Sequence, residues 1–226
     1  MKKWDDLPKF MRVTAVKPYH DILSQHRASL IIKRIFDIIV ASILLIVLSP
    51  VFLIVSMMIK LDSKGPVMFR QVRVTTYGKE FRIFKFRTMV NHADQMGSQV
   101  TTKSDTRVTK VGKLLRKTRI DEFPQLLNVL VGDMTFVGTR PEVSKYVAHY
   151  TDEMKATLLL PAGITSQTSI YYKDEEKLLE NASDADMVYI NDVLPEKMKY
   201  NLSAIRTFSF LGDIKTMINT VIAMIK

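Results

Sequence analysis

The sequence predicts an α+β protein, mostly helical, whose N-terminal membrane helix enters and returns on one side. Three observations carry that expectation. Ile35 to Ile59 is a run of 25 residues in which Asp37 is the only charge. Ser49-Pro50 stands in the middle of the run, and basic residues flank it on both sides. Beyond it, two stretches rich in β-branched and aromatic residues surround a turn, and helical stripes follow.

Residues 1–32 are polar, with Pro8, Pro18 and scattered aromatics, and read as a cytoplasmic lead-in with some helix near Asp21–Ala28. Residues 33–62 hold the apolar run. As a straight helix it would be about 38 Å long, enough for a hydrocarbon core of about 30 Å. It lies too far into the chain, and lacks the cleavage site, for a removable signal peptide. A stretch this long without a polar face is hard to bury in a small domain, which argues against a core helix. Pro50 removes a backbone hydrogen bond and clashes with the preceding turn, and Ser49 can satisfy a freed carbonyl. Arg27, Lys33 and Arg34 precede the run, and Lys60, Lys64, Arg70 and Arg73 follow it. The positive-inside rule then places both flanks on the cytoplasmic face, as a re-entrant helix broken at Ser49-Pro50 requires.

Residues 63–204 read as one small domain. Val67–Val74 and Phe81–Arg87 predict a β-hairpin around Thr75–Glu80. Asn91–Asp105 is polar and reads as a mobile loop. Val111, Leu114 and Leu115 begin one helical stripe, and Phe123, Leu126, Leu127 and Leu130 form another. Pro124 fits the first turn of the second helix, which puts Asp121-Glu122 where one helix yields to the next. The stretches Val131–Asp133 and Val137–Glu142 are turn-rich, a helix is expected around Glu142–Leu159, and Pro161–Ser166 reads as a loop. Asp184–Tyr200 is expected to be helical with an interruption at Pro195. Residues 205–226 form an amphipathic helix, with Phe208, Leu211, Ile214, Ile218 and Ile222 on one face.

The chain has 226 residues and a formal net charge of +10, which favours anionic partners: nucleic acid, anionic lipid or phosphorylated small molecules. Charged residues make up 25% of the chain, too many for a polytopic membrane protein. There is no cysteine, which excludes disulfides, thiolate metal sites and cysteine nucleophiles. His20, His26, His92 and His149 are too scattered for a zinc site.

Asp121-Glu122 follows a basic run of Lys110, Lys113, Arg116, Lys117 and Arg119, in which the three lysines share one helical face. Adjacent carboxylates beside several cations suit a place where Mg²⁺ and phosphate groups meet, and an ionised carboxylate can attack phosphorus. The same pair could instead cap the next helix and favour its dipole. On a strand, Lys85 and Arg87 would share a face that could hold a pyrophosphate or guard a solvated edge. No nucleic-acid motif accompanies these basic residues. Asp37 could serve a function inside the membrane, pair with Arg34, or reach the interface.

The ordered string KRIFD (Lys33–Asp37), Leu48-Ser49-Pro50, Gly65-Pro66-Val67, KFRTM (Lys85–Met89), Asp105–Thr109 with Val111-Gly112, LRKTRIDEFPQLLNVLVGDM (Leu115–Met134) and VGTRPE (Val137–Glu142) resembles the bacterial sugar transferases. These are monotopic phosphoglycosyl transferases that act on polyprenyl phosphate. The resemblance implies a UDP-sugar donor, a polyprenyl (undecaprenyl) phosphate acceptor, Mg²⁺, and an active site on the cytoplasmic face of the inner membrane, with amphipathic interfacial helices. It maps the nucleophile to Asp121, which would form a sugar-phosphoryl aspartate and release UMP, and a Mg²⁺-associated carboxylate to Glu122. Arg116, Arg140, Lys85 and Arg87 match its phosphate-contacting basic residues. The pattern departs at Thr139, where the family has proline, at Ser166 in the Pro161–Ser166 loop, and at Thr75, where it has glycine; the first two bear on donor preference. The competing expectation is a non-catalytic, membrane-bound scaffold that binds anionic lipids or glycan-assembly partners. Whether the chain forms a homo-oligomer is left open.

Overall fold

A computed structural model describes residues 1–91, 93, 105–168 and 185–225. Two short 3-10 turns, Trp4–Asp6 and Lys9–Met11, lead into helix α1 (Lys17–Gln25). This lead-in is part of the core. Leu7, Met11, Val16, Tyr19 and Leu23 are buried against Tyr146, Tyr189, Met198 and Ile205 in the largest apolar cluster.

Helix α2 (Arg27–Val47) meets α3 (Ser49–Asp62) at a bend of 60°. Pro50 sits in the first turn of α3 and has no N–H to offer the carbonyl of Ile46, four residues back. The Ser49 hydroxyl donates to that carbonyl instead, at 2.8 Å. Among the described residues no single helix is long and apolar enough to cross a membrane, but the bent pair passes that test together.

The hairpin forms as expected: β1 (Met68–Val74) pairs antiparallel with β2 (Glu80–Phe86), from Met68↔Phe86 to Val74↔Glu80. Helix α4 (Lys110–Lys117) and helix α5 (Gln125–Val131) carry the two apolar stripes. The Pro161–Ser166 stretch, expected to be a loop, holds a strand, and a second strand lies between the two turn-rich stretches. β3 (Met134–Val137) pairs parallel with β4 (Ala162–Thr165), and the close approach explains the glycines, since a Cβ on Gly163 would lie 2.2 Å from the Gly138 nitrogen. Thr75, the residue in place of a glycine, ties the hairpin to this pair. Its hydroxyl donates to the Asp133 carbonyl at 2.6 Å and accepts from the Ala162 N–H at 3.1 Å.

The single helix expected over Glu142–Leu159 is instead a short helix α6 (Ser144–Val147) and a 3-10 segment, Met154–Leu159. The helix expected over Asp184–Tyr200 is interrupted just before Pro195. Helix α7 (Ala185–Val188) passes through a π turn (Tyr189–Val193) into α8 (Leu194–Arg206), where Pro195 occupies the tolerated first turn. The last helix, α9 (Phe210–Ile225), starts after Phe208, which is buried in the core and does not share the outer face of Leu211, Ile218 and Ile222. Of residues 91–105, only Asn91, Ala93 and Asp105 are described, so the expected loop lies mostly outside the described residues.

Helices α2 and α9 are inside out. Lys33, Asp37 and Ala41 are the buried residues of α2, while Ile31, Ile35, Ile39, Ile43 and Ile46 are exposed. In α9, Thr216 is buried while Leu211, Ile218, Val221 and Ile222 face outward. Lys33 joins the two helices, donating to Asp213 at 2.6 Å and to the Val137 carbonyl at 2.9 Å. Asp37 neither pairs with Arg34 nor reaches an interface. It accepts from the Thr135 hydroxyl at 2.6 Å and anchors β3, while Arg34 donates to the last carbonyls of α5.

Candidate active site

The carboxylate pair lies at a reversal of the chain. Thr109 caps α4 by accepting from the Gly112 N–H at 3.0 Å, and the free Val111 N–H donates to Asp62 of α3 at 3.0 Å. At the other end of α4, Arg119 takes the left-handed conformation (φ 57°) and turns the chain into a 3-10 turn, Ile120–Glu122. Asp121 caps neither this turn nor α5. It is 8% exposed, and its buried Oδ1 has no hydrogen-bond partner.

Glu122 is held. Its Oε1 accepts from Lys85 Nζ at 2.9 Å and from Arg140 Nη2 at 2.5 Å. Lys85 comes from β2 and Arg140 from the loop after β3, so three distant chain segments converge on one carboxylate oxygen. Arg116, in the last turn of α4, donates from Nε to Thr88 at 3.0 Å. Arg87 is not part of this cluster. Strand β2 ends at Phe86, the alternation that would place residues 85 and 87 on one face ends with it, and the Arg87 guanidinium turns to the end of α3. There it donates to the Ser63 carbonyl at 2.6 Å and the Lys64 carbonyl at 3.0 Å. Gly65 makes room for it, since a Cβ there would come 2.1 Å from Arg87 Nη1. Ser49 and Pro50 lie at the bend between α2 and α3.

These surroundings drive the two carboxylates apart. Burial raises the Asp121 pKa and the charge of Glu122 adds to this, while Lys85, Arg116 and Arg119 oppose it without cancelling it. Burial also acts to raise Glu122, but Arg140 and Lys85 overcome it and hold Glu122 well below the ordinary carboxylate range. Burial lowers the Lys85 ammonium, and the neighbouring Arg140 adds to that, against the pull of Glu122. One residue is thus a basic, desolvated carboxylate and the other a fixed anion.

Sequence reasoning missed the residue that docks the site. Asn128, fully buried in α5, accepts from the Phe84 N–H at 2.9 Å and donates to the Arg82 carbonyl at 3.0 Å. It clamps α5 to β2 one residue before Lys85. The available signal was a lone amide beside the apolar stripe of Leu126, Leu127 and Leu130. Gln125 is also buried, with its Nε2 unpartnered.

Among the described residues no group of three or more His, Asp or Glu could hold a metal. Among the described residues the site therefore offers a metal at most the two carboxylates. That suits a hard cation such as Mg²⁺, which takes oxygen donors and fills much of its shell with water and substrate phosphates. Asp121 Oδ1 is an orphaned oxygen of the kind such an ion would use; Glu122 Oε1 is already engaged by two cations.

Comparison with known proteins gives the family of the chain. The family model for bacterial sugar transferases matches residues 28–226. A UDP-N-acetylgalactosamine-undecaprenyl-phosphate N-acetylgalactosaminephosphotransferase of Aeromonas hydrophila is 37% identical over 193 residues, covering 84% of this chain and 43% of that protein. A UDP-glucose:undecaprenyl-phosphate glucose-1-phosphate transferase of Klebsiella pneumoniae is 37% identical over 197 residues, 85% of this chain and 40% of that one. A protein of the same name from Caulobacter vibrioides is 33% identical over 192 residues, 84% of this chain and 68% of that one. The chain thus spans about two-fifths of the length of the first two relatives. By the extent of the family match the chain belongs to the bacterial sugar transferase family.

Proposed function

We propose that the chain transfers a sugar 1-phosphate from a UDP-sugar to polyprenyl (undecaprenyl) phosphate, in two steps through Asp121. The observation that carries this reading is the orphaned, buried Asp121 carboxylate, set beside a fixed anion and cations from three segments. Burial without hydrogen bonds leaves its lone pairs uncommitted and basic, which suits a nucleophile. In the first step a carboxylate oxygen attacks the β-phosphorus of the donor. The new bond joins that oxygen to phosphorus, the bond from phosphorus to the bridging oxygen breaks, and UMP leaves with the electron pair. In the second, an oxygen of the lipid phosphate attacks the same phosphorus and the Asp121 carboxylate departs. The product is a polyprenyl diphosphate sugar.

Glu122 serves as the anchor that keeps Lys85 and Arg140 aimed at the site. Those cations and Arg116 stabilise negative charge on the transferring group. Asp121 and Glu122 would hold Mg²⁺, which when bound supplies further positive charge against the donor's diphosphate. The names of the relatives support the donor and acceptor classes. Membrane attachment at the cytoplasmic face of the inner membrane is supported by the outward apolar faces of α2, α3 and α9 and by the bend at Ser49-Pro50.

The test is a panel of UDP-sugars with Mg²⁺ and undecaprenyl phosphate, reading UMP release, with intact mass recorded before the lipid is added. Wild type should release UMP and gain the mass of one sugar phosphate, and Asp121→Asn should do neither. Equal UMP release by the two proteins would overturn the assignment, and release by neither from any donor would favour the scaffold reading.

A further inference from the structure

We propose that the outer face of α4, with the adjoining end of α3, binds the anionic head groups of membrane phospholipids; this rests on the membrane reading of α2 and α3. Lys110, Lys113 and Lys117 are all exposed and lie on one side of α4, with Leu114 among them at 50% exposure. Gly112 and Leu115 are buried on the opposite side, and Arg116 is turned to Thr88, so the lysine face points away from the site. Helix α3 delivers a matching edge. Its exposed Leu53, Ile54, Met57 and Leu61 lead to exposed Lys60 and Lys64 at its C-terminal end.

Among the described residues most lysines elsewhere have found carboxylates: Lys17, Lys33, Lys79, Lys85, Lys145, Lys155, Lys197 and Lys199 all sit in ion pairs. Among the described residues, none of Lys60, Lys64, Lys110, Lys113 and Lys117 does. The carboxylate nearest them in sequence, Asp62, instead receives the Val111 N–H at 3.0 Å, which bolts α4 to α3. Among the described residues these five exposed cations have no counter-charge, and they lie on two joined helices beside the apolar face of α3. Lysine stems can lie on such a surface while their ammonium groups reach the phosphate level. Each lysine held near an anionic leaflet is worth about fivefold in association. Charge complementarity therefore selects an anionic lipid surface as the occupant, and the exposed Leu114 beside the lysines selects lipid over free phosphate.

The full chain, reconstituted in phosphatidylcholine bilayers, would be probed with trace spin-labelled phosphatidylglycerol or phosphatidylcholine, reading the motionally restricted fraction. Wild type should prefer phosphatidylglycerol by about fivefold, and the preference should collapse toward one at high salt. The triple variant Lys110→Gln, Lys113→Gln, Lys117→Gln should lose most of it while still releasing UMP in detergent. Arginine at the same three positions should keep it. Should the triple variant fail to fold, Lys113→Gln alone should show a partial loss. Equal association of the two lipids with wild type, or an undiminished preference in the folded triple variant, would overturn the proposal and leave the membrane reading intact. No restricted lipid of either kind would overturn both.

Discussion

An ionised carboxylate buried at Asp121 without a hydrogen bond on Oδ1 costs folding energy, because the protein does not replace the water it displaced. Its folded pKa lies above the ordinary 3.8 through burial, then Glu122, against Lys85 and Arg116. A raised folded pKa contributes stability only below the unfolded value and loses it as pH rises through the folded one, so at neutral pH Asp121 is a liability. Asp121→Asn should therefore abolish UMP release yet raise stability by about 1–2 kcal/mol, or a few degrees in Tm by thermal unfolding. Glu122 is the reverse case. Its depressed pKa contributes stability that is present above the unfolded 4.5 and lost as pH falls toward the folded value. Glu122→Gln should lower stability by about 3 kcal/mol, because it leaves Lys85 and Arg140 without their shared counter-charge. If Asp121→Asn melts lower than wild type and Glu122→Gln higher, the roles given to the two carboxylates are wrong. The pH–rate profile follows from the same directions. The acid limb should lie above 3.8, where Asp121 gains its proton, and the alkaline limb below 10.5, where Lys85 loses one.

At the scale of elements, Arg140 is positioned by its neighbour but one. Glu142 is buried, accepts from the Tyr189 hydroxyl at 2.6 Å and from Lys197 at 3.4 Å, and so fastens the Arg140 loop to α8 and the π turn before it. Lys197→Met would strip buried Glu142 of its ammonium partner, leaving it the Tyr189 hydroxyl and the charge of Arg73, and should cost about 3 kcal/mol. Glu142→Gln added to it should cost much less than the two single changes summed, because the pair is removed together. Additive costs, measured by denaturant unfolding, would show that the two residues do not act as a unit. Neither residue was legible as a partner of the other in the sequence, since 55 positions separate them. What was legible has local causes: the hairpin from its alternating residues and turn, α4 and α5 from their stripes, the bend from Ser49-Pro50. What was not legible depends on distant pairing. β3 and β4 are four-residue strands that exist because Gly138 and Gly163 let two segments touch. Val16, Tyr19 and Leu23 keep a helical spacing in the lead-in, but the polar residues between them, Lys17, His20 and Asp21, hid it. The Asp121-Glu122 pair could be seen, yet the division between a held Glu122 and an unpartnered Asp121 could not, because Lys85 and Arg140 reach Glu122 across the fold. Arg87 misled for the complementary reason: strand alternation was carried one residue past the end of β2.

On the scale of the whole molecule, the outward faces of α2, α3 and α9 present a continuous theme of isoleucine, leucine and valine, while lysine, aspartate and threonine point inward. Water would penalise that arrangement and a bilayer would reward it. The bend decides how the molecule uses it. Laid end to end, α2 and α3 would make a rod of roughly 50 Å by the rise of a helix, longer than the hydrocarbon core, and their ends would lie on opposite faces. With the 60° bend, the basic flanks before α2 and after α3 can stay on one side. The chain has no cysteine, so single cysteines near positions 28 and 64 are clean reporters. In intact cells both should be shielded from a periplasmic thiol reagent, and labelling of either in the wild-type background would establish a spanning helix instead. Pro50→Leu supplies the missing N–H for the Ile46 carbonyl and releases Ser49 from that duty, which removes the cause of the bend. If the bend holds the two flanks on one face, that single change should expose one of the two reporters, and only one. Shielding of both in Pro50→Leu would mean that packing of α3 on α4 through Val55, Ile59 and Leu115, rather than the proline, sets the topology.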